Sequence, residues 1–278
     1  MLDETFNELS DLALRHSGQL IPQSKSYLME ARLGVIARRE GFGSLDDLAH
    51  CLRERPNPTF EAEVAAALLS QDTRFFRERE TIETLTLSVL PARLKQTSNG
   101  KLRVWCAGGA SGQEAYSIAM RIDEVGGALK GARIDILSTD LCKGITERAR
   151  KGTFGHFEVQ RGLSIQRLLN YFQRQETGDW RISDEMRSAI SFRQHNLIDD
   201  SSGLGKFDVI LCRHVLSGMD AVARRDVVER LVSQLLPGGV VMLGEGETLA
   251  GITNSLEPSM AYRGGWVVSG TAEREAAA

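Results

Sequence analysis

The stretch that decides the fold is KLRVWCAGGASGQEAYSIAMRI, which runs from Lys101 to Ile122. An apolar run, a turn of small residues and a helical pattern follow one another here, which predicts a strand, a tight turn and a helix. A strand that leads through glycines into a helix presents bare backbone and the positive end of the helix dipole to a ligand. The stretch therefore favours a nucleotide-type site, although glycine turns also join strands to helices where no ligand binds.

The charge of the first helical turn narrows the ligand class. Glu114 lies where the pyrophosphate of a dinucleotide would bind, and a carboxylate repels phosphate while it attracts an ammonium group. The glycine spacing also departs from the G-x-G-x-x-G pattern of dinucleotide sites. The ligand that fits is a nucleoside with a positive charge, such as S-adenosylmethionine, and a nicotinamide-dependent oxidoreductase is disfavoured.

A second acidic residue follows the next apolar run, ARIDILSTD, which ends at Asp140. An acid at the carboxyl end of the second strand of a βαβ unit can accept hydrogen bonds from both ribose hydroxyls. The alternative is that Asp140 caps the helix predicted to begin near Lys143. The glycine turn and Asp140 together favour nucleoside binding.

Strands and helices alternate through the rest of the chain, which predicts a doubly wound, mostly parallel sheet. FDVILCRH (207–214) and VVMLGE (240–245) are continuous apolar runs of the kind found in buried parallel strands. Ligands of such sheets bind beyond the carboxyl ends of the strands. One crevice is therefore expected to contain Gly108, Asp140, Asn196, Arg213, His214 and Glu245.

The first 70 residues or so read as three or four short helices, because apolar residues recur at helical spacing between glycines and prolines. On the helix predicted from about Ser24 to Glu40, Lys25, Arg32 and Arg39 share one stripe. The stripe is either a solvated face or a basic surface for an acidic protein partner.

Composition excludes several function classes. The chain has 278 residues, a formal net charge of −3 and no apolar run approaching the length of a membrane span. Neither nucleic-acid binding nor membrane insertion is expected, and the chain reads as cytoplasmic. The four cysteines and five histidines form no ligand cluster, so no metal is expected.

These motifs together resemble the CheR family, whose members use S-adenosylmethionine to esterify glutamates of bacterial chemoreceptors. The resemblance covers nearly the whole chain. Its segments are DTRFFRE (72–78), VWCAGGASGQEAYSIAM (104–120), ILSTDL (136–141), QHNL (194–197), FDVILCRHV (207–215) and LLPGGVVMLGEGE (235–247). It implies an α/β fold, a Rossmann-like class I methyltransferase with a doubly wound, mostly parallel sheet after a small all-α N-terminal domain.

The resemblance also implies domain boundaries. A helical substrate-recognition domain is expected over residues 1–75, a linker helix over 76–100 and a methyltransferase domain over 101–278, with a small inserted subdomain at about 165–190. The chain is expected to act as a monomer on the cytoplasmic domain of a chemoreceptor.

The resemblance implies roles for single residues. Glu114 would bind the methionine ammonium, Asp140 the ribose, and Asn196 with Leu197 the adenine. Arg77 and His214 would act at the reacting groups, and the stripe of Lys25, Arg32 and Arg39 would hold the receptor helix. The remaining cofactor contacts would come from Gln71, Thr73, Arg77, Gly108, Arg213 and His214.

The chain also departs from the family pattern. Gln71 and His214 stand where asparagine is usual, Ala115 where proline is usual, and Gly218 where a tyrosine near the transferred methyl is common. The stretch from Phe172 to Trp180 is short for a loop that docks a receptor's C-terminal peptide, so receptor recognition without that tether is expected. These departures leave two alternatives open: a weak or inactive relative that binds the cofactor as a regulatory or scaffold protein, and a methyltransferase for another substrate.

Overall fold

A computed structural model describes residues 1–69 and 71–270 of the chain, with the side chain of Ala128 excepted. Residues 271–278, which the predicted methyltransferase domain includes, lie outside the described residues. The chain divides into two compact units. The first unit contains Met1–Gln71 together with Ser217–Arg224, and the second contains Asp72–Leu216 together with Arg225–Ala278.

The first unit is a helical bundle. Its helices are α1 (Asp3–Ser17), α2 (Ser26–Glu40), α3 (Leu45–Glu54) and α4 (Pro58–Leu68). Helix α1 ends at Gly18, whose φ of 70° is the left-handed conformation that glycine adopts at little cost, and the Ser44 side chain caps α3. Leu9, Leu33 and Val64 meet in its core with at most 1% exposure. The prediction of three or four short helices is confirmed.

The second unit alternates helices and strands. Its strands are β1 (Lys101–Ala107), β2 (Arg133–Asp140), β3 (Thr153–Phe154), β4 (Phe172–Arg174), β5 (Trp180–Ile182), β6 (Ile190–Gln194), β7 (Phe207–Leu211), β8 (Leu235–Met242), β9 (Leu256–Pro258) and β10 (Gly265–Val268). Its helices are α5 (Arg79–Thr84), α6 (Leu90–Gln96), α7 (Gln113–Val125), α8 (Lys143–Lys151), α9 (His156–Gln160), α10 (Ile165–Tyr171), α11 (Asp184–Ser188) and α12 (Ala221–Ser233, whose first turn groups with the first unit).

A seven-stranded sheet forms the centre of this unit, in the order β6-β2-β1-β7-β8-β10-β9. β6, β2, β1, β7 and β8 pair in parallel, and β10 runs antiparallel to β8 and β9. The predicted doubly wound, mostly parallel sheet is confirmed. Because β1 lies between β2 and β7, the strand order reverses beside it, and the crevice at this switch point is where such sheets bind ligands.

The central strands are mostly apolar because both sheet faces are covered. Every residue of β7 is buried, and so are Val104, Trp105 and Cys106 of β1. The Trp105 indole satisfies its N–H by donating to Thr139 Oγ1 over 2.9 Å. β1 and β2 therefore form a rigid base for the turn between β1 and α7.

A second, antiparallel sheet has the order β3-β5-β4. The sequence pattern from Ser164 to about Gln175 predicts a helix, but α10 ends at Tyr171 and the next residues form β4. The reason is tertiary: Phe172 pairs with Ile182 across the sheet, and its ring packs 5.6 Å from that of Phe75. The name inserted subdomain is used below for residues 153–182, which comprise β3, β4, β5 and the two helices α9 and α10 between β3 and β4. The predicted bounds of about 165–190 stay a prediction.

Candidate active site

The turn after β1 is bound to the end of β2. The backbone N–H groups of Gly108 and Gly109 both donate to the Thr139 carbonyl, over 2.9 and 2.8 Å. Gly108 has a φ of 77°, and a Cβ atom there would lie 2.6 Å from Cγ2 of Val215. Only glycine satisfies both the conformation and the close approach. The turn is therefore fixed at the switch point of the sheet.

Asp140 lies within the same network. Its Oδ2 accepts the N–H of Ala110, and its Oδ1 accepts the N–H of Cys142, each over 3.0 Å. Burial raises the pKa of this carboxyl, and the two N–H groups oppose that shift. Asp140 is not the N-cap residue of α8: that residue is Cys142, and no side-chain capping hydrogen bond is made there.

Arg213 follows β7 and joins two carboxylates. Its Nη1 donates to Glu114 Oε1 over 2.7 Å, and its Nη2 donates to Glu78 Oε2 over 2.7 Å and to the Arg77 carbonyl over 2.8 Å. Only 3% of its side chain is exposed. Burial opposes the charge of Arg213, but Glu114 and Glu78 outweigh it and raise the guanidinium pKa. We call Arg213, Glu78 and Glu114 the arginine cluster.

His214 is held by Glu78 of the arginine cluster and by a third glutamate, Glu247. Its ring Nε2 contacts Glu78 Oε1, and its backbone N–H donates to Glu247 Oε2 over 2.7 Å. The N–H of Gly244 donates to the same Glu247 oxygen over 2.9 Å. A Cβ atom on Gly244 would lie 2.7 Å from the His214 ring, so this position admits no side chain without displacing the ring. A cavity of about 480 Å³ opens beside Glu78, Gly244 and Glu247.

Backbone strain is concentrated in the same region. Among residues 1–69 and 71–270, the non-glycine residues with positive φ are Phe76, Glu78, Ala110 and His214. Each such residue costs about 1–3 kcal/mol and persists where the surrounding contacts fix it. Ala110 belongs to the glycine turn, and the other three belong to the segments that meet at Arg213.

The arginine cluster carries a net negative charge. One arginine and two glutamates give a formal charge of −1. Glu247 beside His214 adds −1, and Arg77, whose Nε lies 3.9 Å from Glu78 Oε1, adds +1, so the five groups sum to −1. The pKa of Glu78 reflects this arrangement: burial raises it, but hydrogen bonds from Arg213 and the Glu245 N–H outweigh burial and lower it to about 2. The cluster therefore favours a cationic ligand.

The other predicted site residues of this unit are Thr73, Arg77, Asn196 and Leu197. Thr73 and Arg77 are half-buried, and Arg77 Nη1 donates to the Asp72 carbonyl over 3.1 Å. The N–H of His195 donates to the Asp140 carbonyl, which places the adjacent Asn196 and the buried Leu197 beside that acid. The structure thus brings Gly108, Glu114, Asp140, Arg213 and His214 to the carboxyl edge of the sheet.

The remaining predicted residues belong to the helical unit. Gln71 and Lys25 are exposed. Arg32 donates to the carbonyls of Leu68 and Leu69 at the end of α4, and Arg39 forms a bidentate pair with Glu63. Two members of the basic stripe therefore make contacts within the unit, and binding by Lys25, Arg32 and Arg39 stays a prediction.

Glu78 and Glu247 are central to the site, but the sequence did not single them out. Glu78 lies in the segment DTRFFRE and Glu247 in the segment LLPGGVVMLGEGE. Both segments carry the family resemblance, but no sequence pattern marks either glutamate. The one signal for Glu78 was its position directly after Arg77, in a segment already predicted to contact the cofactor. Their partners are 135 and 33 residues away in the chain.

Among the described residues, no group of three or more histidine, cysteine, aspartate or glutamate side chains could hold a metal ion. A search of the same residues finds no helix with the length and apolarity that a membrane crossing requires.

Comparison with protein-family models assigns the helical part and the sheet-containing part of the chain to the same family. Residues 4–69 match the family model of the CheR methyltransferase all-alpha domain, and residues 71–263 match that of the CheR methyltransferase SAM binding domain. The chain belongs to the CheR methyltransferase family. Its S-adenosylmethionine cofactor is thereby confirmed as predicted.

Relatives of this CheR protein match over most of their length. Chemotaxis protein methyltransferase Cher2 of Pseudomonas putida is 35% identical over 84% of this chain and 86% of its own. Chemotaxis protein methyltransferase 1 of Pseudomonas aeruginosa is 34% identical over 88% of this chain and 92% of its own. This CheR protein is an S-adenosylmethionine-dependent methyltransferase of the chemotaxis family.

Proposed function

We propose that the protein transfers the methyl group of S-adenosylmethionine to glutamate side chains in the cytoplasmic domain of a chemoreceptor, forming methyl esters. The observation that carries the proposal is the arginine cluster at the switch point of a SAM-binding domain. Its net negative charge suits a cofactor with an ammonium and a sulfonium group. The relatives named for chemotaxis support a chemoreceptor as the substrate.

The proposal assigns the cofactor contacts. Glu114 binds the ammonium through the oxygen that Arg213 does not hold, and Asp140 accepts the ribose hydroxyls while two N–H groups fix its carboxylate. Asn196 and Leu197 flank the adenine, and Gly108 allows the ligand to approach the backbone closely. Gln71, Thr73, Arg77, Arg213 and His214 complete the proposed cofactor set.

The proposed reaction is an in-line displacement. A carboxylate oxygen of the receptor glutamate attacks the sulfonium methyl, the sulfur–carbon bond breaks, and its electron pair stays on sulfur to give neutral S-adenosylhomocysteine. A glutamate with an ordinary pKa of about 4.3 is already ionised at neutral pH, so no general base is required. Alignment of the two reactants supplies most of the rate enhancement, up to about 7–11 kcal/mol. Arg77 and His214 orient the incoming carboxylate.

The proposed receptor surface lies on the helical unit. Glu63 already neutralises Arg39, whereas Lys25 is exposed and has no ion pair within 4.0 Å among the residues the structure describes. Lys25 is therefore the member of the stripe best placed to attract an acidic helix. Lys25→Glu should raise the KM for receptor and leave S-adenosylhomocysteine binding unchanged.

The test is methyl transfer to receptor-bearing membranes from S-adenosylmethionine with a radioactive methyl group. A methyl ester releases its label as volatile methanol in alkali, and the label should appear in the receptor band. The Asp140→Ala variant should give a reduced signal at limiting S-adenosylmethionine, and Asp135→Ala, a change on the same strand at an exposed position, should retain the full signal. Alkali-stable label, or label on another protein or a small molecule, would contradict the proposed substrate.

The alternative is a relative that binds the cofactor without transferring the methyl. It is favoured by Gly218, which offers no side chain where the family commonly has tyrosine. A Cβ atom at Gly218 would lie 2.2 Å from Oε1 of Gln19, so a larger residue requires Gln19 to move. Binding of S-adenosylhomocysteine with no label transfer to any receptor would establish this alternative.

A further inference from the structure

The inserted subdomain contacts the segment that carries Arg77 and Glu78. Arg167 of α10 places its guanidinium carbon 3.7 Å from the centroid of the Phe76 ring. The same guanidinium donates two hydrogen bonds to Glu124 of α7, over 2.7 and 2.8 Å. Arg167 is only 16% exposed, and its hydrogen bonds lower the pKa of Glu124. One side chain thus joins the subdomain, helix α7 and Phe76.

Phe76 needs such support because its backbone is strained. Its φ is 50°, and its N–H donates to Ser117 Oγ over 2.9 Å. A bulky residue holds this left-handed conformation only where its surroundings fix it. Arg167 over the ring and Ser117 at the backbone both restrain Phe76.

The next two residues transmit the position of Phe76 to the arginine cluster. The Arg77 carbonyl and the Glu78 carboxylate both accept hydrogen bonds from Arg213 Nη2. Arg213 in turn donates to Glu114 through Nη1. A shift of Phe76 would therefore move two acceptors of Arg213 and alter how that guanidinium holds Glu114.

We propose that Arg167 is a positioning residue for the cofactor site: it holds Phe76 in the left-handed conformation that presents Arg77 and Glu78 to Arg213. This inference rests on the proposed assignment of Arg77, Arg213 and Glu114 to the cofactor. The planar guanidinium binds both oxygens of Glu124 at once while it covers the ring, and a lysine ammonium cannot do both. The inserted subdomain thereby takes part in cofactor binding without contacting the cofactor.

The experiment is calorimetric titration of the full chain with S-adenosylhomocysteine, at a temperature where each variant is folded. Arg167→Ala should weaken binding about tenfold, and Arg167→Lys should restore part of the affinity. Arg148→Ala is the matched control, because Arg148 pairs with Glu158 of α9 but contacts neither Phe76 nor Glu124. Its affinity should stay within twofold of the wild-type value.

Hydrogen–deuterium exchange gives a readout that does not depend on the cofactor. Peptides spanning residues 72–80 should exchange faster in Arg167→Ala than in the wild type or Arg148→Ala, because Phe76 loses one restraint. Glu124→Gln should act in the same direction, and the double change Arg167→Ala with Glu124→Gln should be no worse than Arg167→Ala alone.

Equal affinities and equal exchange for Arg167→Ala and Arg148→Ala would overturn the inference, as would additive effects of the Arg167 and Glu124 changes. Failure of the proposed function can be distinguished from failure of this inference. A wild-type protein that binds S-adenosylhomocysteine but never methylates a receptor leaves the role of Arg167 intact. Faster exchange without any loss of affinity would show that Phe76 does not act on the cofactor site.

Discussion

The carboxylate of Asp140 and the backbone N–H of Ala110 are joined by a hydrogen bond of 3.0 Å, which ties the acid at the end of β2 to the turn after β1. Ala110 has a φ of 47°, a strained conformation that this bond helps to hold. Asp140 therefore has two functions in the proposed site. It shapes the turn, and it presents oxygens to a ribose.

Asp140→Ala should weaken S-adenosylhomocysteine binding by about 1–3 kcal/mol, because it removes a charged acceptor from two hydroxyls. Calorimetric titration measures the change, and Asp135→Ala on the same strand is the control. Asp135 is exposed and pairs with Arg133, so its removal should leave the affinity unchanged. Equal affinities of Asp140→Ala and the wild type would remove Asp140 from the site.

Gly108→Ala should also impair cofactor binding. The new Cβ would meet Val215 Cγ2 at 2.6 Å in a backbone conformation with a φ of 77°, which alanine adopts at a cost of about 1–2 kcal/mol. Adding Val215→Ala should relieve the overlap but not the backbone cost, so the double variant should recover only part of the affinity. Gly127→Ala is the control, because nothing lies within 4 Å of its Cβ position. Full recovery in the double variant would show that the backbone cost is negligible.

Glu78 should make stability depend on pH. Its pKa in the folded protein is about 2, below the ordinary 4.5, so the unfolded chain binds its proton more readily. The contribution of Glu78 to the free energy of unfolding is therefore complete above pH 4.5 and is lost as the pH falls through 4.5 toward 2. Urea unfolding should show Glu78→Gln to be less stable than the wild type at pH 7, with the difference narrowing below pH 4.5. A difference that stays constant down to pH 3 would contradict the ion pairing of Glu78 with Arg213.

The sequence predicted the parallel sheet, the glycine turn and the acid after β2, because local patterns determine these features. A continuous apolar run indicates a buried strand. A turn of small residues before a helix indicates backbone that lies close to a ligand or to another segment of the chain. Glu78 and Glu247 were not singled out, because their importance comes from Arg213 and His214, which fold against them from distant segments. The end of α10 was misplaced for a related reason. Local propensity allowed the helix to continue through Phe172, and pairing with Ile182 ended it.

The buried ion pair between Arg93 and Asp208 should affect stability without affecting the cofactor. Arg93 Nη2 donates to Asp208 Oδ1 and the Arg103 N–H donates to Asp208 Oδ2, each over 2.9 Å, and both paired side chains are at most 6% exposed. Asp208 is the second residue of β7, at the end of the strand away from Arg213.

Asp208→Asn leaves the Arg93 charge buried without its counter-ion, so it should reduce the free energy of unfolding by about 3–5 kcal/mol. Asp135→Asn breaks an exposed pair with Arg133 and should cost about 0–1 kcal/mol. Urea unfolding followed by tryptophan fluorescence measures both, since all three tryptophans, Trp105, Trp180 and Trp266, lie in the unit that contains Asp208. S-adenosylhomocysteine affinity of folded Asp208→Asn should match the wild-type value, and a loss of affinity would show that the amino end of β7 influences the site at its carboxyl end.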